Sequence, residues 1–344
     1  MQVNQFMLKP QPLIRKSLEC LNARQILLEH RLFFVVRFVK TYFAKGRFTP
    51  REIPRLSIET TNLCDAQCGF CANKFMQRPR EYLDMPIFKK AVDEFVGIGG
   101  QEIDFNATIG DPLLDPHLLE RARYVKQFPQ IKSLGFVTNL QWLHKFNMDE
   151  FFAAGFTWVG ISTVLSGQQK YLEFFGVDRY EQTVSNILEL LKENNKRKNK
   201  ISLVLSIKPT NETVGAVINH PDFKMVSSAA GYDLAEVVKN QSFFCDDWSG
   251  AVRLPPYFKK RPLYPRAFRP CSLLYETLII FSNGNIGCCS CRDFEADSEL
   301  ILGNAKETTL KEIWQGKKIY RIRDDWRRKN KVPGICKSCG HYLY

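Results

Sequence analysis

No stretch of the chain gathers the eighteen or so uncharged apolar residues that a membrane-spanning helix needs. The nearest approach, Leu32 to Val39 (LFFVVRFV), is broken by Arg37 and flanked by basic residues. Residues 12–45 therefore read as one or two helices docking on a larger body, with a membrane-surface helix as the alternative. The opening MQVNQFMLKPQPLIRK has neither the apolar core nor the small-residue cleavage site of a secretory signal, which points to the cytoplasm. No segment repeats and none is of low complexity, which excludes solenoid arrays and flexible linkers. A basic stripe with interleaved aromatic residues is missing too, which argues against nucleic acid as a partner despite a net charge of +13. The cations are scattered, dense only near 192–200 and 317–331, and fit solvated helix faces. A phosphate-bearing or anionic-lipid partner is the other reading of that charge.

What the chain does have is cysteine: eleven among 344 residues, an odd number. In a reducing compartment disulfides are rare, and clustered thiols more often hold metal. A hydrophobic content of 44% supports a sizeable core, and the length fits one large domain plus a smaller one.

A Pro-bounded break near Thr49–Pro54 separates an N-terminal helical extension, 1–52, from a strand–helix alternation. Strands are expected at 53–60 (IPRLSIET), 101–110 (QEIDFNATIG), 132–139 (KSLGFVTN), 156–163 (FTWVGIST), 201–209 (ISLVLSIKP) and 235–240 (AEVVKN). Helices are expected around 87–97, 116–127 and 179–195, with a helical turn after 211. Such alternation makes a parallel sheet with right-handed crossovers. Six units are too few to close an eight-stranded barrel, so the expected class is α/β, a partial (β/α)6 TIM-like barrel over 53–245. Active sites of these sheets lie at the C-terminal strand ends. After Gly250 the alternation stops, and 246–344, with six cysteines, reads as a small metal-stabilised C-terminal domain.

The loop after the first strand reads TNLCDAQCGFCANKF, placing Cys64, Cys68 and Cys71 in C-x3-C-x2-C spacing. Three thiolates within eight residues can cap three irons of a cubane and leave the fourth without a protein ligand. A structural zinc would want four ligands in paired knuckles. Phe70, between the second and third cysteines, can shield the cluster.

This spacing at the end of a first barrel strand resembles the radical SAM superfamily. The resemblance implies a [4Fe-4S] cluster whose open iron binds S-adenosyl-L-methionine (SAM) and splits it reductively to a 5′-deoxyadenosyl radical. It also implies an electron donor such as flavodoxin or ferredoxin. Gly110, Asp111 and Pro112 resemble the family's glycine- and acid-bearing turn, which contacts the SAM amino group, with Asp where relatives more often have Glu. Thr138 and Asn139 resemble the TN pair of many relatives; a helix N-cap is the other reading. Ser162 matches a position that approaches the SAM carboxylate or ribose.

Near the C-terminus Cys271, twelve residues, Gly284, four residues and Cys289 precede Cys336-x2-Cys339. Taken alone, four cysteines ending in C-x2-C suit zinc as well as iron–sulfur. Beside the first loop, the pattern resembles a SPASM/twitch domain, as does the capped helix within GNAKETTLKEIWQ. The chain stops five residues after Cys339, so the resemblance is to the shorter twitch form. It implies a second, auxiliary [4Fe-4S] cluster ligated by Cys271, Cys289, Cys336 and Cys339, closed to substrate and suited to electron transfer. Cys288 or Cys291 could replace Cys289, and a hairpin turn at Asn283-Gly284 would put these cysteines on the returning strand.

By the same resemblance the substrate is either a carbohydrate-like or other small molecule, oxidised or epimerised, or a ribosomally made peptide. Only about fifty residues precede the barrel, with no strands for a peptide-leader module, which favours the small molecule. A zinc-dependent nucleic-acid-binding protein is the distant alternative and leaves the first cysteine loop without a purpose. Cys245, in SFFCDDWSG, is either a small buried hydrophobe or a hydrogen-atom donor to a substrate radical.

Overall fold

The computed structural model describes residues 53–106, 108–208, 212–240, 244–245, 247–256, 258–260, 270–289 and 292–342. The helical extension over 1–52, and with it the surface contact expected of 12–45, lies outside them. Among the described residues no helix is long and apolar enough to cross a membrane.

Five strands form where the sequence alternates or runs apolar: β1 (Arg55–Ile58), β2 (Glu102–Asp104), β3 (Ser133–Thr138), β4 (Trp158–Thr163) and β5 (Ser202–Ile207). Successive side chains point to opposite faces of a strand. One set, including Leu56, Ile58, Ile103, Leu134, Phe136, Val159, Ile161, Leu205 and Ile207, is buried against the helices. The helix Met85–Gly97 shows how that layer is built: a proline sits in its first turn, and Ile87, Phe88, Ala91, Val92 and Phe95 make its buried stripe. Each large apolar side chain removed from water contributes about 1.5–3 kcal/mol.

Five short strands follow the parallel run of β1 to β5. β6 (Phe244–Cys245) and β7 (Lys259–Lys260) pair with each other in a separate two-stranded sheet. β8 (Thr277–Ile280), β9 (Asn285–Gly287) and β10 (Ile301–Asn304) join the main sheet, whose order is β10-β9-β8-β1-β2-β3-β4-β5. β8 runs parallel beside β1, with Arg55 opposite Thr277 and Ile58 opposite Ile280. The fold is thus α/β with a mostly parallel eight-stranded sheet, six strands of it parallel, and a small C-terminal region continuing the same sheet.

The sixth parallel strand is not the expected one. Residues 235–240 lie in the helix Leu234–Asn240. Asp233 caps it, its Oδ1 accepting from Glu236 N at 3.1 Å, and Leu234 and Val238, four apart, are its buried residues. The place beside β1 goes instead to β8, from the C-terminal region. Glu59, fully buried at the end of β1, secures this junction. It pairs with Arg78 at 2.6 Å and accepts from Ser282 N at 3.2 Å and Ser282 Oγ at 3.0 Å. Breaking a buried pair of this kind costs about 3–5 kcal/mol, because the partner charge is left stranded.

Candidate metal centres

The cysteine loop leaves the C-terminal end of β1 and is held at both ends by amide side chains. Asn62 Nδ2 donates to Pro79 O at 2.7 Å while its Oδ1 accepts from Glu81 N at 2.8 Å. Asn73 Nδ2 donates to Cys64 O at 3.3 Å and Ala66 O at 3.1 Å, tying the end of the loop to its start. Arg80 braces both, donating to Asn62 O at 2.9 Å and Asn73 O at 2.7 Å. Cys64, Cys68 and Cys71 are half-buried and in no disulfide. Burial pushes the Cys64 thiol up to about 12, aided by the charge of Asp111, and raises Cys68 and Cys71 as well. Metal binding here must therefore displace protons. Among the described residues no three Cys, His, Asp or Glu side chains converge on a single-ion site.

The segment between barrel and C-terminal region comes over this loop. Trp248 Nε1 donates to Phe70 O at 2.9 Å, and the Phe70 ring packs on Phe174 at 4.5 Å and Phe258 at 6.0 Å. Cys245 stands opposite Lys260 in the β6–β7 pair, two residues before Asp247.

The turn after β2 touches the cysteine loop closely. Gly110 has φ 123°, and a Cβ there would stand 2.4 Å from Thr61 O and 2.9 Å from Asn62 Cα. Only glycine fits a backbone that is both left-handed and this close to its neighbour. Asp111 N donates to Leu63 O at 2.8 Å, and Pro112 opens a short 3-10 turn. The Asp111 carboxylate, expected to face a SAM ammonium, is directed inward. It accepts from Leu113 N at 3.0 Å, Thr138 Oγ1 at 2.8 Å and Asn139 N at 2.9 Å, and only 2% of the residue is exposed. Burial raises its pKa against the pull of these bonds. Asp111→Ala would strand three buried donors, each costing about 1–3 kcal/mol. Urea denaturation of the metal-free variant should show a loss of roughly 3 kcal/mol or more; unchanged stability would mean the bonds contribute nothing.

Thr138 and Asn139 do not cap a helix. Thr138 Oγ1 accepts from Leu140 N at 2.9 Å and Asn139 Oδ1 from Gln141 N at 3.0 Å, two successive side-chain turns. They carry Leu140 into φ 62°, a conformation uncommon for leucine and frequent at functional sites. Nothing in the sequence announced it. Ser162 is half-buried on β4, opposite Ser206 of β5.

Ser162 belongs to the sheet face turned away from the helices, which the alternation made legible but the sequence reading left unused. Ser57, Asp104, Gly135, Val137, Gly160, Val204 and Ser206 share it by register. Asp104 accepts from Ser57 and lies 3.9 Å from Arg55; burial nonetheless pushes its carboxyl up to about 6. Asn106 accepts from Val137 N at 2.9 Å, and Lys208 Nζ donates to Ser206 Oγ at 3.1 Å.

In the C-terminal region β8 and β9 form a hairpin in which Phe281 O accepts from Gly284 N at 2.8 Å and Phe281 N donates to Asn285 O at 2.9 Å. Gly284, at φ 84°, is the left-handed residue of a three-residue loop, one longer than the expected two-residue turn. Asn283 serves it by accepting from Asn285 N at 2.9 Å. Cys271, Cys289, Cys336 and Cys339 all line one small, largely apolar cavity, with Trp326 and Tyr342 in its wall. Cys288 lines it too, but is fully buried, and its thiol donates to Leu300 O at 3.5 Å. Burial pushes Cys288 up to about 12, with the Arg323 charge pulling the other way. Cys336 is raised by burial and by the charges of Cys289, Cys271, Cys339 and Cys288, which places the thiols within one another's field. A thiol-rich, dry cavity of this kind fits a cluster with four cysteine ligands. Cys291 lies outside the described residues.

Known proteins match both regions. The radical SAM superfamily profile matches residues 58–220, and that of the SPASM iron-sulfur cluster-binding domain matches 271–340. GTP 3′,8-cyclase of Chlorobaculum tepidum is 29% identical over 141 residues, 41% of this chain and 42% of that protein. The GTP 3′,8-cyclase of Synechococcus elongatus is 24% identical over 175 residues, 50% and 49%. The chain spans less than half the length of these curated relatives. Among solved structures, BtrN in complex with AdoMet and 2-DOIA has a TM-score of 0.53 at 15% identity, covering 83% of this chain and 92% of that one. Streptococcus suis SuiB bound to precursor peptide SuiA has a TM-score of 0.56 at 16% identity, covering 94% and 76%. At such identities the likeness is one of fold. The two profiles, however, fall on the two thiol groups that the chain itself brings together. On that ground the chain belongs to the radical SAM superfamily and carries a C-terminal SPASM domain, with SAM, a SAM-binding [4Fe-4S] cluster and an auxiliary iron–sulfur cluster as its cofactors.

Proposed function

We propose that the protein takes a small, hydroxyl-rich molecule over the helix-free face of its sheet and oxidises or epimerises it. The lining of that face carries the reading: Ser57, Asp104, Asn106, Ser162, Ser206 and Lys208 offer polar groups beside the exposed Val137 and Val204, with the Trp158 ring packed over Gly135. Such a surface suits hydroxyl and amino groups better than apolar side chains. Asp104, which keeps its proton up to about pH 6, is a candidate acid or base there. The names of the relatives agree with a small molecule, since two are GTP cyclases and BtrN was solved with 2-DOIA. SuiB bound to a precursor peptide supports the second reading, a peptide substrate.

When bound, the cluster and SAM supply one-electron cleavage and a carbon radical able to abstract hydrogen. The chain's own residues bind and orient. Cys64, Cys68 and Cys71 hold the first cluster, in a loop fixed by Asn62, Asn73 and Arg80. Gly110 and the main chain secured by Asp111, Thr138 and Asn139 would bind and orient SAM, with Ser162 as a further contact. Cys271, Cys289, Cys336 and Cys339 hold one auxiliary [4Fe-4S] cluster in the twitch arrangement, away from water. A flavodoxin or ferredoxin of the cytoplasm supplies the electrons.

The test is substrate-dependent formation of 5′-deoxyadenosine above the uncoupled background, for a panel of polyols, aminocyclitols, sugars and nucleotide-linked sugars beside a panel of peptides. Stimulation by peptides alone would overturn the small-molecule reading. With a substrate in hand, Cys245→Ala separates the two outcomes. In an epimerase the Cys245 thiol gives its hydrogen atom to the substrate radical, leaving a thiyl that one electron and one proton from the donor protein restore. The variant should then form 5′-deoxyadenosine but less than about a hundredth of the inverted product, the scale of a lost catalytic group. Near-normal turnover identifies an oxidase instead.

A further inference from the structure

Arg323, on the helix Lys317–Lys329, is 98% withdrawn from solvent, with 2% exposed. Its Nε donates to Leu274 O at 2.7 Å. The guanidinium lies over the Trp314 ring at 4.4 Å and the Tyr275 ring at 5.0 Å. Nη1 and Nη2 have no hydrogen-bond partner among the described residues. The acids nearby are engaged elsewhere: Asp324 pairs with Arg327 and Arg328, Asp325 with Lys329, and Asp293 with Ser298. A buried cation without an anion is strongly disfavoured, and contact with two aromatic faces offsets only part of the cost.

The missing anion has an obvious place. Leu274, which Arg323 grips, lines the cavity of Cys271, Cys288, Cys289, Cys336 and Cys339. A cubane bound by four thiolates is an anion in either of its usual oxidation states, and gains further negative charge on reduction. Hydrogen bonds and net charge around such clusters set their potentials.

We propose that Arg323 is the counter-cation of the auxiliary cluster, kept unpaired by the protein so that its charge favours the reduced state. This rests on assigning the cavity to an iron–sulfur cluster, and the experiment keeps the two apart. The full-length Cys64→Ala, Cys68→Ala, Cys71→Ala protein is reconstituted anaerobically, so that only the auxiliary cluster reports, and its iron is counted before an EPR-monitored redox titration. Absence of iron overturns the cluster assignment and the proposal with it. With about four irons bound, adding Arg323→Met should change the reduced-to-oxidised ratio at fixed potential at least tenfold toward oxidised. For one electron that is about 59 mV more negative. Arg323→Lys should return most of the shift. An unshifted Arg323→Met overturns the counter-cation and leaves the cluster standing.

Stability of the metal-free protein provides the second measurement. Removing an unpaired buried charge should leave it as stable as its parent, or more so. Should Arg323→Met bind no iron, recovery of iron in Arg323→Lys with unchanged metal-free stability supports the proposal. Equal destabilisation of metal-free and loaded protein makes Arg323 a packing residue and overturns it.

Discussion

Replacing Cys64, Cys68 and Cys71 together by alanine should lower the iron content from about eight to about four per chain and abolish SAM cleavage. The three thiols are the ligands that one loop can offer, and the second group of thiols lines a different cavity. The loop should keep its course without them. Asn62, Asn73 and Arg80 hold it through main-chain oxygens and amides, and the bond from Asn73 N to Cys71 Sγ, at 3.4 Å, is weak. The folded variant should therefore separate the two centres. Iron and sulfide analysis after anaerobic reconstitution gives the count, and chromatography gives 5′-deoxyadenosine. Zinc in place of the remaining four irons would refute the auxiliary cluster while sparing the first. Residual SAM cleavage would refute the ligand set.

Gly110→Ala should be among the most damaging single substitutions outside the cysteines. Left-handed strain contributes about 1–3 kcal/mol. The collision with Thr61 O and Asn62 Cα adds a further cost of about 1–3 kcal/mol, and backbone cannot swing aside as a side-chain tip can. Asn62 is gripped on both sides, so relief would come from displacing the cysteine loop itself. We expect a loss of roughly 3–5 kcal/mol in the metal-free protein and a drop in SAM affinity of at least tenfold in the reconstituted one. Gly231→Ala is the control. Gly231 also has positive φ, 74°, but open space where the Cβ would go, so it should lose only the strain. Equal effects at the two positions would mean that the turn does not press on the loop.

Much of this architecture was legible in the order of residues, and the failures share a cause. β1 to β5 and the cysteine loop follow from local alternation and spacing, which the chain carries within a few residues. Residues 235–240 looked like a strand because two valines stand together, but the Asp233 cap and the four-residue spacing of Leu234 and Val238 favour a helix. That β8 would fill the edge beside β1 has no local signal, since the pairing joins segments about two hundred residues apart. Asp111 was correctly placed in its turn, yet the direction of its carboxylate depends on Thr138 and Asn139 two strands away. The C-terminal cysteines were singled out through the family resemblance, since their spacing alone suits zinc as well, whereas the orphan guanidinium of Arg323 emerges only from packing.

The joint at Glu59, Arg78 and Ser282 also makes the first cysteine loop depend on chain far downstream of it. The exit of the first cysteine loop is anchored by Glu295, which accepts from Gln77 N at 2.9 Å and Arg78 N at 3.1 Å, 217 residues further along for the latter. A nascent chain that has only just emerged past β5 lacks that anchor and has β1 as an open sheet edge. Iron delivered then would meet a loop whose downstream arm is still loose. The downstream arm of the first cysteine loop is therefore complete only once the segment around Glu295 has folded against it.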